Sequence, residues 1–335
     1  MVFLASVAAA VRWSVGPDAE PAALTSDPTQ VAPSAPVPTV AAASLPPRRV
    51  LHARELKPIP LQAAAPETAQ ALAGRATRLA RHKQQVPEPI APYDLRIGTF
   101  NVLGSQHTAP GGDRQHFPPA STRSAGAAEL IKEHGVDIIG TQELQDDQLR
   151  DISNRTGLTA WPGLQWGTAE TDNSILYDAS RFEFVSGSSF TIPFMGRPRP
   201  QPILRLRERA TGRELYVVNT HPSAHDGRYL AERRSGEATL VGVVNQLEES
   251  GLPVFVTGDM NDREEFYCHV VPPAHLTAPN GGSYGDGCHP PPSPLPVDWV
   301  VGSAGIGWSG YWRDTTPVTR KISDHFIVSA TAHVD

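Results

Sequence analysis

From residue 95 onward the chain alternates short runs of β-branched and aromatic residues with polar clusters rich in Gly, Pro, Asn and Asp. Runs bounded in this way predict strands. In LRIGTFNVLG (95–104), Leu95, Ile97 and Thr99 alternate with Arg96, Gly98 and Phe100, and the run ends on Asn101. VDIIGTQEL (136–144) ends on Gln142 and Glu143. NSILYD (173–178), FEFVSGSSF and PILRLRER follow, and the turn ATGRE (210–214) leads into LYVVNTH (215–221), which ends on Asn219, Thr220 and His221. The β-branched and aromatic run 254–257 lies between Pro253 and Gly258, with Asp259 and Asn261 just beyond. VDWVVGS (297–303) carries Asp298, and Ser323, Asp324 and His325 immediately precede the last strand, with Phe326, Val328 and Ala330.

Three stretches have helical periodicity. One starts near Ser121, carries Ala127, Leu130 and Ile131, and stops at Gly135; a second covers 146–156 and stops at Gly157. The third spans about 228–249, with Leu230, Leu240, Val241, Val244 and Leu247 as its inward face and Gly251 beyond its end. Strands outnumber helices, and several are joined by hairpins. A simple parallel doubly wound sheet is thereby excluded. The expected architecture is two mixed β-sheets packed face to face with helices outside. The chain has no internal repeat, no GxxxxGK phosphate loop, and no CxxC or HExxH zinc pattern.

Composition divides the chain near residue 93. Residues 1–92 hold 14 of the 33 prolines, with much alanine and no lasting periodicity. Such a stretch buries too little apolar surface to offset chain entropy, so residues 16–92 are expected to be a disordered linker, with at most a transient basic helix over 68–85. Residues 1–15 read as an apolar segment, the remnant of a signal or anchor. Its run from Val2 to Val11 is too short to span a bilayer and has no basic stretch before it. The folded domain is then 93–335. Residues 1–92 carry 9 Lys and Arg against 6 Asp and Glu, and the remainder 20 against 29, a net −9. An acidic domain argues against a broad basic face for nucleic acid, though not against phosphate contacts made through metal ions. Cys268 and Cys288 stand in a Gly/Pro-rich loop, where they are either a disulfide or two separate thiols. Together with the apolar start, they point to a secreted or cell-envelope protein.

Collected, the strand ends present Asn101, Glu143, His221, Asp259, Asn261, Asp298, Asp324 and His325. Carboxylate and amide oxygens suit Mg²⁺, Mn²⁺ or Ca²⁺ rather than zinc, and two histidines supply acid and base near neutral pH. The succession FNVL, TQEL, NTH, GDMND, VDWV and SDHF, across residues 93–335, resembles the endonuclease/exonuclease/phosphatase superfamily with its DNase I-like fold, in an exported bacterial-type version. That resemblance implies a four-layer sandwich of two mixed sheets flanked by helices. It also implies a hydrolase that cleaves phosphodiester bonds by in-line attack of activated water.

The resemblance gives Asn101, Glu143 and Asp324 as metal ligands, with Glu143 central. His325 would act on phosphate or water, oriented by Asp298. Asp259 and Asn261 would polarise water and steady the phosphate, and His221 would protonate the leaving oxygen. Asn173, before its strand, is a candidate contact to the phosphate. An Asp298 flanked by Val297 and Trp299 needs a partner by itself, since an unpaired buried carboxylate is costly. His107, His116, His225 and His269 read as ordinary loop histidines. The expected substrate is nucleic acid, which a groove lined by Arg199, Arg205 and Arg207 would favour as exposed aromatic loops would favour lipid, and the expected state is a monomer with no protein partner. A phospholipid head group or inositol phosphate is the alternative substrate, and a non-catalytic exported binding module the alternative class.

Overall fold

The computed structural model describes residues 91–166, 172–224 and 227–335. The apolar N-terminal segment, the linker as far as residue 90 and His225 lie outside them. In chain order the strands are β1 (Tyr93–Asn101), β2 (Ile138–Gln142), β3 (Thr159–Trp161), β4 (Ile175–Tyr177), β5 (Phe182–Phe194), β6 (Arg197–Glu208), β7 (Glu214–Thr220), β8 (Val254–Asp259), β9 (Leu276–Thr277), β10 (Asp298–Ser303), β11 (Gly307–Asp314) and β12 (Ile327–Val334). The helices are α1 (Ala120–His134), α2 (Asp146–Thr156), α3 (Leu230–Glu248), α4 (Glu264–Val270) and the single turn α5 (Thr316–Thr319). α1 and α2 end at Gly135 (φ 59°) and Gly157 (φ 79°), both in the left-handed conformation glycine adopts without strain. Among the described residues no helix is long and apolar enough to cross a membrane.

The strands form two six-stranded mixed sheets, ordered β11-β12-β1-β2-β4-β3 and β5-β6-β7-β8-β10-β9. At the centre of each lies one parallel pair, β1 with β2 and β7 with β8; the other pairings are antiparallel. Both faces of the central strands are covered, so their runs read as nearly continuous apolar sequence. The period of two still separates the faces. Ile97, Ile138, Val217, Phe255 and Val300 meet in the core between the sheets. Ile139 and Phe100 face outward to α1 and α2, and Val218, Val256 and Trp299 to the core that includes Leu240 of α3 and Phe266 of α4. Three apolar layers make the four-layer sandwich.

Along the inner faces the same period runs from apolar to polar to ionisable. β1 proceeds Ile97, Thr99, Asn101; β7 proceeds Val217, Asn219, His221; β8 proceeds Phe255, Thr257, Asp259. Gln142 and Asn219 meet across the two sheets at 2.7 Å, and Thr257 donates to Asn219 Oδ1 at 3.1 Å. Gly140 makes room for this layer, because a Cβ there would stand 2.1 Å from Thr257 Oγ1 and 2.4 Å from Asn219 Oδ1.

Several elements extend the sequence pattern. The β5–β6 hairpin is far longer than its apolar runs and includes Pro193, Pro198 and Pro200. β6 pairs with β7 only from Ile203 to Arg207, so those prolines sit where a strand needs few backbone donors. β11 is absent from the periodicity because its alternation breaks at a register shift between Ser309 and Trp312. The Pro-rich stretch 272–296 contains β9, and Cys268 of α4 is bonded to Cys288 within it.

Candidate active site

The ionisable ends of the inner faces converge on one cleft of about 1000 Å³. Its floor is Asp259, fully buried at the end of β8. Asp259 Oδ2 lies 3.4 Å from Nε2 of both His221 and His325, and accepts a hydrogen bond from Asn101 Nδ2 at 3.0 Å. Its Oδ1 accepts the Asn261 backbone N–H at 2.9 Å. Burial pushes its carboxyl up to about 6; the Asp298 charge adds to this and His325 opposes it.

The two histidines have opposite backing. Asp298, directly opposite Asp259 in the β8–β10 register, accepts from His325 Nδ1 at 3.0 Å. Burial disfavours a charged His325, but the carboxylates of Asp259 and Asp298 outweigh it and raise its pKa well above the ordinary value. The two carboxylates thus favour the protonated form of His325. Its backbone is fixed by Ser323, whose hydroxyl accepts the His325 N–H at 3.1 Å and donates to the Asn101 carbonyl at 2.6 Å. His221 is 3 % exposed, and its Nδ1 faces the Arg199 guanidinium at 3.4 Å. Burial first, and then the Arg199 charge, lower its pKa to about 3. The sequence reading gives His221 as the leaving-group acid; in this setting burial and the Arg199 charge both favour its neutral form.

Glu143 follows β2 with φ 60°, and Asn261 has φ 50°. Left-handed backbone at non-glycine residues costs roughly 1–3 kcal/mol each and persists where the surroundings enforce it. The turn aims Glu143 into the cleft. Oε1 accepts from Asn101 Nδ2 at 3.0 Å, and Oε2 accepts from the Gly104 backbone at 3.2 Å. Burial would raise its pKa, but hydrogen bonds from His107 and Asn101 hold it far below the usual carboxylate range. Asn101 Oδ1 accepts the Leu103 N–H at 3.0 Å, so its amide presents donors to Glu143 and Asp259. In this arrangement the Asn101 amide bridges the two carboxylates, while its Oδ1 accepts one hydrogen bond. Asp324 is exposed at the cleft rim, 3.3 Å from Arg114 Nε.

His107 is not an ordinary loop histidine. Its Nε2 lies 3.1 Å from Glu143 Oε2 and its Nδ1 2.7 Å from Asp113. The hydrogen bond to Glu143 raises its pKa to about 9 against the opposing effect of burial. Its proximity comes from the fold of the 105–117 loop, which carries no local signature. His116 and His269 do not line the cleft, and His269 pairs with Glu237 at 2.9 Å. Asn173 does not reach the cleft either. It is 1 % exposed and donates to Gln201, whose Oε1 also accepts the His221 backbone N–H at 2.7 Å. It supports the site from one layer below. Of the three arginines whose grouping would favour nucleic acid, Arg199 lines the cleft, joined there by Arg114 and Arg197, while Arg205 and Arg207 are paired with Glu214. Asn261 lines the cleft with its Nδ2 bonded to the Pro222 carbonyl at 3.0 Å.

A hard divalent cation fits these donors. Glu143, held ionised, and Asp324 both line the cleft with carboxylate oxygens of the kind such a cation takes. Ligand atoms of Asp259, Asp298 and His325 also lie within 4.8 Å of one another, but the hydrogen bond between His325 and Asp298 already engages two of them.

A DNase I-like sandwich with carboxylates and histidines at its strand ends defines a class of phosphoester-hydrolysing enzymes. The sequence pattern of the Endonuclease/Exonuclease/phosphatase family matches residues 98–325, and the chain belongs to that family. Its members generally depend on a divalent metal. No curated protein matches the chain. Similar solved structures include an endonuclease/exonuclease/phosphatase family protein from Bacteroides thetaiotaomicron (TM-score 0.55, 19 % identity, 73 % of this chain and 99 % of that one). The human Nocturnin catalytic domain with bound sulfate is comparable (0.56, 19 %, 72 % and 95 %). So is a mannosyl-6-phosphatase of Bacteroides thetaiotaomicron (0.53, 20 %, 70 % and 98 %).

Proposed function

We propose that the protein is an exported phosphodiesterase, working with Mg²⁺ or with Mn²⁺ or Ca²⁺ in its place, and that nucleic acid is its substrate. The carrying observation is Asp259, a buried carboxylate raised to about 6 and set between one charged and one neutral histidine. Near neutral pH such a carboxylate is ionised yet basic enough to take a proton from an attacking water. The His325 imidazolium, oriented by Asp298, meets the phosphoryl oxygens with a charge-assisted hydrogen bond. His221 donates a neutral hydrogen bond from the opposite side of Asp259. Glu143 and Asp324 would hold the cation, which when bound neutralises charge on the phosphate. The Cys268–Cys288 disulfide supports an oxidising compartment and hence export.

A second reading is a small phosphoester such as a sugar phosphate, favoured by the bounded cleft and by the engagement of Arg205 and Arg207 with Glu214. The test is hydrolysis of plasmid DNA, RNA, sphingomyelin, bis-p-nitrophenyl phosphate and p-nitrophenyl phosphate by the full chain, each with Mg²⁺ and with EDTA. EDTA-sensitive cleavage of DNA or RNA supports the nuclease. Turnover of the small esters alone supports the second reading, cleavage of sphingomyelin the lipid alternative, and no hydrolysis of any of them refutes a phosphoesterase.

A further inference from the structure

The two histidines that flank Asp259 are related by position and opposed by environment. Behind His325 stands a carboxylate; behind His221 stands a guanidinium. Arg199 is built into that place. It is 7 % exposed, stacks over the Phe194 ring at 4.0 Å, and forms a salt bridge to Asp172 through Nη2. Phe194 in turn meets the His221 ring edge-on at 5.2 Å. Arg199 Nη1 lies 3.4 Å from His221 Nδ1, and Arg199 Nε is buried with no hydrogen-bond partner among the described residues.

A guanidinium only donates. An imidazole nitrogen facing it must therefore accept, which leaves the ring proton on the other nitrogen, Nε2. That nitrogen points at Asp259 Oδ2 and the cleft. We infer that Arg199 is a positioning residue for the reaction, one that fixes His221 as the neutral Nε2–H tautomer so that His221 serves as a hydrogen-bond donor to the phosphoryl group and not as a proton donor to the leaving oxygen. Asp172 anchors the guanidinium, and Gln201 holds the His221 backbone at the matching height. This asymmetry sets the division of labour: the carboxylate-backed His325 carries the charge, the guanidinium-backed His221 supplies direction alone.

The inference rests on the phosphoesterase reading only in its kinetic arm. The spectroscopic arm uses the full chain with ¹⁵N-labelled histidine, His221 being assigned by its loss in H221Q. Long-range ¹H–¹⁵N spectra of the wild type should show His221 with an unprotonated Nδ1 and a protonated Nε2, and R199M should lose that single tautomer. A wild-type His221 protonated on Nδ1, or an R199M spectrum identical to wild type, would overturn the inference whether or not any ester is hydrolysed. In the kinetic arm H221Q, whose amide NH₂ reproduces a donor near the Nε2 position, should retain at least tenfold more kcat than H221A. R199M should lower kcat about tenfold or more in the wild-type background, the loss of one charge-assisted contact, and by less than twofold in H221Q. Equal inactivity of H221Q and H221A would mean that His221 transfers a proton, and an undiminished R199M effect in H221Q would mean that Arg199 does not act through it. R199K, which keeps a donor beside Nδ1 and a charge beside Asp172, should restore the tautomer in part. If R199M does not fold, R199K and the wild-type spectrum still decide.

Discussion

Asn219 ties the two sheets together just below the cleft, and its replacement has a calculable cost. Its Nδ2 donates to the Thr141 carbonyl at 2.8 Å and the Asn173 carbonyl at 2.7 Å, both in or beside the opposing sheet. Its Oδ1 accepts from Gln142 at 2.7 Å and Thr257 at 3.1 Å. The amide orientation is fixed by chemistry, since carbonyls accept only. Asn219→Ala removes four buried hydrogen bonds, each with a net contribution of about 1 kcal/mol, so about 4 kcal/mol is lost. For a domain of this size, 1 kcal/mol shifts Tm by about 2–4 °C, which gives a fall of about 8–16 °C. Asn219→Asp keeps the shape but turns two donors into a buried carboxylate aimed at two carbonyls. It should therefore be less stable than the alanine variant, and by more at pH 7 than at pH 5, where the carboxyl can bind a proton. Chemical denaturation of the three proteins at both pH values measures this. An aspartate variant within about 1 kcal/mol of wild type, or more stable than alanine, would refute this account of the polar layer.

Three other outcomes are expected. Converting Cys268 and Cys288 to serine should cost about 3 kcal/mol, the chain-entropy value for a loop of this length; the midpoint of denaturant unfolding should fall accordingly while kcat is retained, because neither sulfur lines the cleft. With Asp259 as the proposed base and burial pushing its carboxyl up to about 6, it would work when deprotonated: kcat/KM should fall as pH drops through about 6, and Asp259→Asn should abolish both the activity and that limb of the profile. Asp298→Ala removes a charge that keeps His325 protonated, so turnover should fall about 100-fold at pH 8 and by a smaller factor at pH 6; a pH-independent ratio to wild type would show that Asp298 only packs.

The strand ends were legible because both sheets bury their central strands on two faces, which makes unbroken β-branched runs, and because each run stops on a residue such a strand would not otherwise carry. Asp298 is the clearest case: between Val297 and Trp299 it demanded a partner, and His325 stands beside it at 3.0 Å. The roles of the two histidines were not legible. They depend on what stands behind each ring, and Arg199 reaches His221 only through the β5–β6 hairpin, 22 residues away in sequence. His107 was hidden for a similar reason, in a loop whose fold alone brings it to Glu143. The setting of Arg205 and Arg207 was not legible either, because alternation in a strand says which face a side chain takes but not that Glu214 waits across the pairing. β11 escaped notice because a bulged edge strand has no steady period to detect.

β1 runs the full depth of its sheet, with Tyr93 paired to Val334 at one end and Asn101 beside the carboxylates at the other. At about 3.3 Å per residue those ends are roughly 26 Å apart. Both ends of the described domain thus emerge together on the side remote from chemistry. An affinity tag, a resin linkage or a fused partner joined ahead of Tyr93 or behind Val334 would hold the enzyme by its back, leaving the mouth turned outward toward whatever diffuses past. A protein immobilised at either end should keep the turnover it has in solution.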